Sequence, residues 1–164
     1  MTLITEDGTG LTNSESYISV ADANTRHTAL GNTAWTGADA VKETALRVAT
    51  EYMEQAFRQR WKGTRNTRDQ ALSWPRAGAT SDGWYIDSDV VPDEVANACA
   101  DLALKAAAGD LAPDLERGIV REKVGPIETE FDTATPQSKR YRAIEMLLAP
   151  LMKGSLASAT LVRA

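Results

Sequence analysis

Cysteine occurs once in this 164-residue chain, at Cys99, and histidine once, at His27. A lone cysteine forms no intramolecular disulfide, and no Asn-x-Ser/Thr acceptor is present, so the sequence points to a reducing compartment. One cysteine and one histidine fall short of the ligand set of a zinc site, and no metal or cofactor is expected. A serine triad needs a histidine beside a Gly-x-Ser-x-Gly turn; that turn is missing, and His27 reads as a solitary surface residue. Long hydrophobic runs are also lacking. The most apolar stretches are cut by Lys105 and Glu145 before they reach the roughly 18 residues of a membrane span, and "MTLITEDGTGLTNSES" has neither a basic nor an apolar leader region. Neither export nor membrane insertion is expected.

What is present is an ordinary folding composition, 43% hydrophobic and 25% charged, in a length that suits one core. The net charge of −5 argues against a protein that coats DNA with its whole surface. Inside this acidic chain, however, the segment around "WKGTRNTRDQALSWPR" carries six basic residues, Arg58, Arg60, Lys62, Arg65, Arg68 and Arg76, against the single acid Asp69. With Trp61 and Trp74 it could grip a single strand, the cations tracking phosphates and the rings stacking on bases. Alternatively the tryptophans continue an apolar stripe and brace the fold, and the basic residues meet a neighbouring subunit. The register of the tryptophans with apolar patterning favours the brace.

The pattern along the chain predicts a mainly α protein, a small helical bundle with one β-hairpin before the last helix. Residues 1–18 are predicted to form an extended arm, 19–153 the helical domain and 154–164 a tail. Ser19 with Asp22 three positions on is a variant capping box for a helix over about 20–30, ended by Gly31. From Ala38 to Trp61 a stripe of Val41, Ala45, Val48, Tyr52 and Ala56, beside Ala49, Met53 and Phe57, predicts the longest helix, with Thr36 as N-cap and Gly63 as stop. Residues 64–90 read as a long ordered connection with one short strand near "ALSWP". Helical spacing restarts at Pro92 with Val95, Cys99, Leu102 and Ala106. "IVREKVGPIETEF" shows the period of two of a hairpin, with a charged face that includes Glu122, Lys123, Glu128 and Glu130. A last helix from about Pro136 is predicted to bury Tyr141, Ile144, Leu147, Leu148 and Leu151.

No catalytic constellation accompanies these elements, and the chain is not expected to be an enzyme. The glycines of "EDGTGLTNS" lack the Gly-Lys-Ser/Thr ending of a phosphate-binding loop. Asp82, Asp87 and Asp89 lack the order of a calcium loop and read as solvated turn residues. Cys99 falls on an apolar helix face and reads as core.

The stretches "SYISVADANTRHTALGNTAW", "KETALRVATEYME", "WKG", "QALSWPRAG", "VPDEVANACADLAL", "EKVGPIETEF" and "AIEMLLAPL" resemble a group of tailed-phage structural-region proteins often labelled DnaT-like single-stranded-DNA-binding proteins. In helix and hairpin order the chain is similar to head-to-tail connector (adaptor, head completion) proteins. The connector resemblance implies a virion protein at the head–tail interface, assembled from the host cytoplasm as a dodecameric ring below the portal. Its partners would be the portal protein, the next head-completion or tail-connector protein, further copies of itself, and packaged double-stranded DNA passing through without sequence-specific contact. On that reading Leu156, Leu161, Val162 and Arg163 are portal-docking candidates. Arg58, Arg60, Trp61, Lys62, Arg65, Arg68, Trp74 and Arg76 would meet a neighbour or DNA. Glu122, Lys123, Glu128 and Glu130 would line a channel or touch a neighbour. The DnaT-like resemblance implies instead a single-strand-binding protein of phage replication. Net acidity and the lack of catalytic chemistry favour the connector.

Overall fold

The computed structural model describes residues 2–113, 119–124, 127–131 and 139–154. The first helix, α1 (Val20–Ala29), begins where the capping residues place it: the Ser19 hydroxyl accepts from Asp22 N at 3.1 Å and donates to the Asp22 carboxylate at 2.6 Å. It ends at Leu30, followed by Gly31 in the left-handed region at φ 67°. Ahead of α1, the stretch read as an extended arm is irregular but folds back on itself. Thr5 bridges Ser16, and Ser14, Ser16, Tyr17 and Ile18 are buried.

His27 is not a surface residue. It is 1% exposed and packs against Trp35, the rings tilted by 43° with centroids 4.7 Å apart. Its Nε2 lies 3.1 Å from Ala100 O and its Nδ1 3.0 Å from the Asn32 amide nitrogen, which fits a neutral ring donating from Nε2 and accepting at Nδ1. Burial holds its pKa below the usual 6.5. Below pH 6.5 the unfolded chain therefore takes up a proton that the folded chain resists, and stability falls as pH drops from there toward the depressed folded value. A thermal midpoint flat between about pH 8 and 7 and declining below about 6.5 is expected, with that part of the decline missing in His27→Gln. An unchanged decline in the variant would assign it to other groups.

Helices α2 (Asp39–Phe57) and α3 (Asp93–Ala108) form the main packed pair, with α1 laid against both. The N-cap of α2 is Ala38, without a side-chain bond, and not Thr36. Its buried ridge is Ala45, Leu46, Ala49, Thr50, Met53 and Phe57. Val41 and Val48, in the predicted stripe, stand outward at 56% and 43% exposure. Two apolar rows lie side by side on this helix, and the packing of α3 selects the one holding Leu46 and Met53. On α3, Pro92 occupies the N-cap, Asp93 and Glu94 sit at the positive end of the dipole, and Val95, Ala98, Cys99, Leu102 and Ala103 are buried. Cys99 is core as expected. Its sulfur lies 3.2 Å from the Thr50 hydroxyl, and burial raises its pKa.

Between α2 and α3 the chain makes two short antiparallel ribbons. One joins β1 (Thr64–Arg65) to β2 (Arg76–Ala77) and the other joins β3 (Thr80–Ser81) to β4 (Trp84–Tyr85). The predicted strand at "ALSWP" is absent; those residues are irregular backbone with a cis Trp74–Pro75 bond. The hairpin of β5 (Ile119–Val124) and β6 (Ile127–Phe131) forms where the period of two predicts it. Its register sets Lys123 opposite Glu128 and Arg121 opposite Glu130, but Glu122 opposite Thr129. The last helix, α4 (Arg142–Leu148), begins after Tyr141, not near Pro136, which lies outside the described residues. It runs into a 3-10 turn at Ala149–Leu151. Ile144, Leu148 and Leu151 are buried, whereas Tyr141 and Leu147 are only partly so.

Candidate nucleic-acid interface

The basic segment starts where α2 ends. After Phe57 the chain turns, and Trp61 forms a bridge with Met152, flanked by Lys62 N to Leu151 O at 3.0 Å and Lys153 N to Arg60 O at 2.7 Å. The Trp61 ring meets Phe57 and Trp74 edge-on, with centroids 6.0 and 5.8 Å away. Both tryptophans are 0% exposed, so neither ring offers a face to a base. The loop carrying Trp74 is tied down by buried polar groups. Gln70 accepts from Thr67 N at 2.8 Å and donates to Leu72 O and Pro75 O at 2.8 and 3.0 Å. Glu54 accepts from the Tyr17 hydroxyl and, at 2.6 Å, from the Ser73 hydroxyl. Burial, followed by the Glu54 charge, pushes the Tyr17 pKa well above its usual value.

Two of the six cations serve this brace. Arg76 is buried and donates to Lys62 O, Gly63 O and Ser73 O at 2.7, 2.8 and 3.1 Å. Lys62 Nζ donates to Pro150 O at 2.7 Å and Thr80 O at 3.2 Å, joining the turn after α4 to the root of β3. Gly63 is required at this crossing. Its φ is 67°, and a Cβ there would stand 2.4 Å from Ala77 O. The other four basic residues remain open to solvent in whole or part. Among the described residues no acid pairs with Arg58, Arg65 or Arg68, and Arg60 reaches Glu145 only at 3.9 Å while its guanidinium lies over the Phe57 ring.

The most exposed aromatics among the described residues are elsewhere. Trp84 and Tyr85 on β4 are 80% and 82% exposed, and the sequence reading assigned them nothing. Their signal was available in "SDGWY", because Asp-Gly is the preferred pair of a two-residue hairpin turn. Asp82 and Gly83 adopt the φ of 51° and 88° that such a turn demands. Asp82 is therefore a turn residue. Leu156, Leu161, Val162 and Arg163 lie outside the described residues, as do the side chains of Glu122, Lys123, Glu128 and Glu130.

A hollow of about 730 Å³ lies between the N-terminal loop, α1 and the start of α3. Asp7, Asp22, Asp89 and Asp93 line it, and its one cation, Arg26, is bound to Asp101 at 2.7 Å. Such a wall repels phosphate. No group of His, Cys, Asp and Glu among the described residues is placed to hold a metal ion. A family model described as "Putative DnaT-like ssDNA binding protein" matches residues 1–164. The chain belongs to that family. No curated protein and no solved structure matched it. Within this DnaT-like protein, the cations that are not engaged in the brace and the exposed β4 rings are the described features with chemistry suited to a nucleic acid.

Proposed function

We propose that the protein binds single-stranded DNA and catalyses no reaction. The family match over residues 1–164 carries this reading. Arg58 and Arg68, exposed and paired with no acid among the described residues, support it, since phosphate contact by Lys and Arg supplies most non-specific affinity. The test is fluorescence anisotropy of a labelled oligonucleotide at low and near-physiological salt. Micromolar binding is expected, its logarithm falling with log salt by about 0.7 per phosphate contact. No binding even at low salt would remove the reading.

A second reading, a ring adaptor between a phage portal and the next neck or tail component, is favoured by one observation. The outward row of α2, Val41 and Val48, forms with Ala45, Ala106 and Ala107 an apolar groove of about 400 Å³. An apolar strip of this kind suits one side of a repeated head-to-tail contact, which closes into a ring when the rotation allows. On this reading the protein sits in the virion at the head–tail interface, around packaged DNA. Sedimentation of the same preparation with portal protein separates the two readings. Co-sedimentation that Val48→Glu abolishes, in a protein indifferent to oligonucleotide, would replace the first by the second.

A further inference from the structure

We propose that the β3–β4 hairpin is the base-stacking element of this protein, with Trp84 and Tyr85 receiving unpaired bases and the solvent-open arginines of the basic segment holding the phosphates; the inference rests on the single-strand reading above. β3 is half-buried beside the 3-10 turn, whereas both residues of β4 are exposed, so this outer strand displays both rings although successive strand residues point to opposite faces. The tryptophans Trp35, Trp61 and Trp74 are buried, which leaves Trp84 as the one indole that can meet a ligand without unfolding. Large exposed rings mark contact surfaces, and a base has an apolar face that fits them whatever its identity.

The platform is held in place before any ligand arrives. Ile86 N donates to Ala79 O at 3.0 Å across the root, Ala79 is buried, and Lys62 Nζ donates to Thr80 O. The Asp82–Gly83 turn closes the tip in two residues. Rings carried on such a ribbon lose little freedom on binding. Lys62 Nζ reaches the hairpin root with its bonds to Thr80 O and Pro150 O already made, so the phosphates fall to the solvent-open arginines of the segment to which Lys62 belongs, and the bases to the rings. Paired bases are already stacked on each other, so this site selects single strands over duplex and tolerates any sequence.

The experiment uses a fluorescein-labelled oligothymidylate of about 20 nucleotides and its duplex form, against the full chain and its Trp84→Ala, Tyr85→Ala, Trp84→Phe and Arg58→Ala/Arg60→Ala variants. Each ring removed should weaken single-strand binding by about 5- to 150-fold with the salt slope unchanged. Trp84→Phe should recover part of that loss, and the arginine variant should reduce the slope. Oligonucleotide should quench intrinsic fluorescence in the native chain and not in Trp84→Ala. The ring variants should keep the native thermal midpoint, because both side chains are exposed. Binding by the native chain that the Trp84→Ala/Tyr85→Ala double variant retains would overturn the hairpin site and leave single-strand binding standing. Absence of binding by the native chain would overturn both. Loss of portal or self-association in the double variant, with oligonucleotide binding intact, would make the hairpin a protein contact and overturn the proposal.

Discussion

Trp61→Ala is expected to lower stability by about 3–5 kcal/mol, the usual cost of truncating a fully buried large aromatic. For a domain of this size that corresponds to a fall of roughly 6–20 °C in the thermal midpoint. Few positions offer a larger effect, because Trp61 joins three parts of the chain: the end of α2 through Phe57, the cis-Pro loop through Trp74, and the turn after α4 through its bridge to Met152. Trp61→Phe should cost much less. It keeps most of the packing, and the Trp61 indole N–H has no hydrogen-bond partner among the described residues to lose. Urea unfolding of both variants provides the measurement. A change below about 1 kcal/mol in Trp61→Ala would mean that the residue is not the brace its burial implies. Any loss of oligonucleotide binding in this variant should follow the unfolded fraction, not the affinity of the folded molecules.

Glu6→Ala should cost about 3 kcal/mol, since hydrogen bonds to a buried charged group contribute about 1.5–3 kcal/mol each and are only partly replaced by water when the loop relaxes. The Glu6 carboxylate is buried and accepts from Gly8 N at 3.1 Å, Gly10 N at 2.8 Å, Leu11 N at 3.1 Å and the Ser14 hydroxyl at 2.8 Å. This is an anion cradle of backbone N–H groups whose anion is supplied by the chain itself. Glycine is needed where the loop meets the start of α3: Gly8 has φ 98°, and a Cβ there would lie 1.9 Å from Asp89 O. Amide exchange at Gly10 and Leu11 should quicken by orders of magnitude in Glu6→Ala, and less in Glu6→Gln, whose amide oxygen still accepts. Unchanged protection at these amides would show that the loop is held by its packing alone. The same loop holds the basic segment through Ala71 N to Leu11 O at 2.8 Å. Its loss is therefore expected to loosen the Trp74 loop as well.

How much of this was legible in the sequence depended on whether the deciding physics was local. Ser19 and Asp22 announced α1 because a capping box is satisfied within three residues. The β5–β6 hairpin followed from alternation about a turn, and the first turn of α3 from Pro92, Asp93 and Glu94. The buried row of α2 was legible in part: Ala45, Ala49, Met53 and Phe57 followed from the spacing, but Val41 and Val48 are as apolar as the residues beside them, and only the position of α3 leaves them outside. His27 looked polar and solitary. Its burial depends on Ala100 O, 73 positions away, accepting from the ring. The Asp82–Gly83 turn could have been recognised from its dipeptide, whereas the exposure of Trp84 and Tyr85 could not, because it depends on the 3-10 turn packing against β3 and leaving β4 outermost among the described residues.

The sequence by itself determined that this is a mainly α protein with four helical segments and a hairpin, an acidic surface and one basic, tryptophan-bearing segment, because period, capping and charge are properties of neighbouring residues. Only the tertiary structure decided what that segment does. Tryptophan and arginine fit a nucleic-acid grip or a buried brace equally well by composition, and the choice follows from which groups surround them. Here Phe57, Trp74 and Met152 enclose Trp61, and backbone carbonyls enclose Arg76, so these residues of the stretch are a brace, and its solvent-open arginines are not part of it. The rings left to meet a ligand are those that no long-range contact covers.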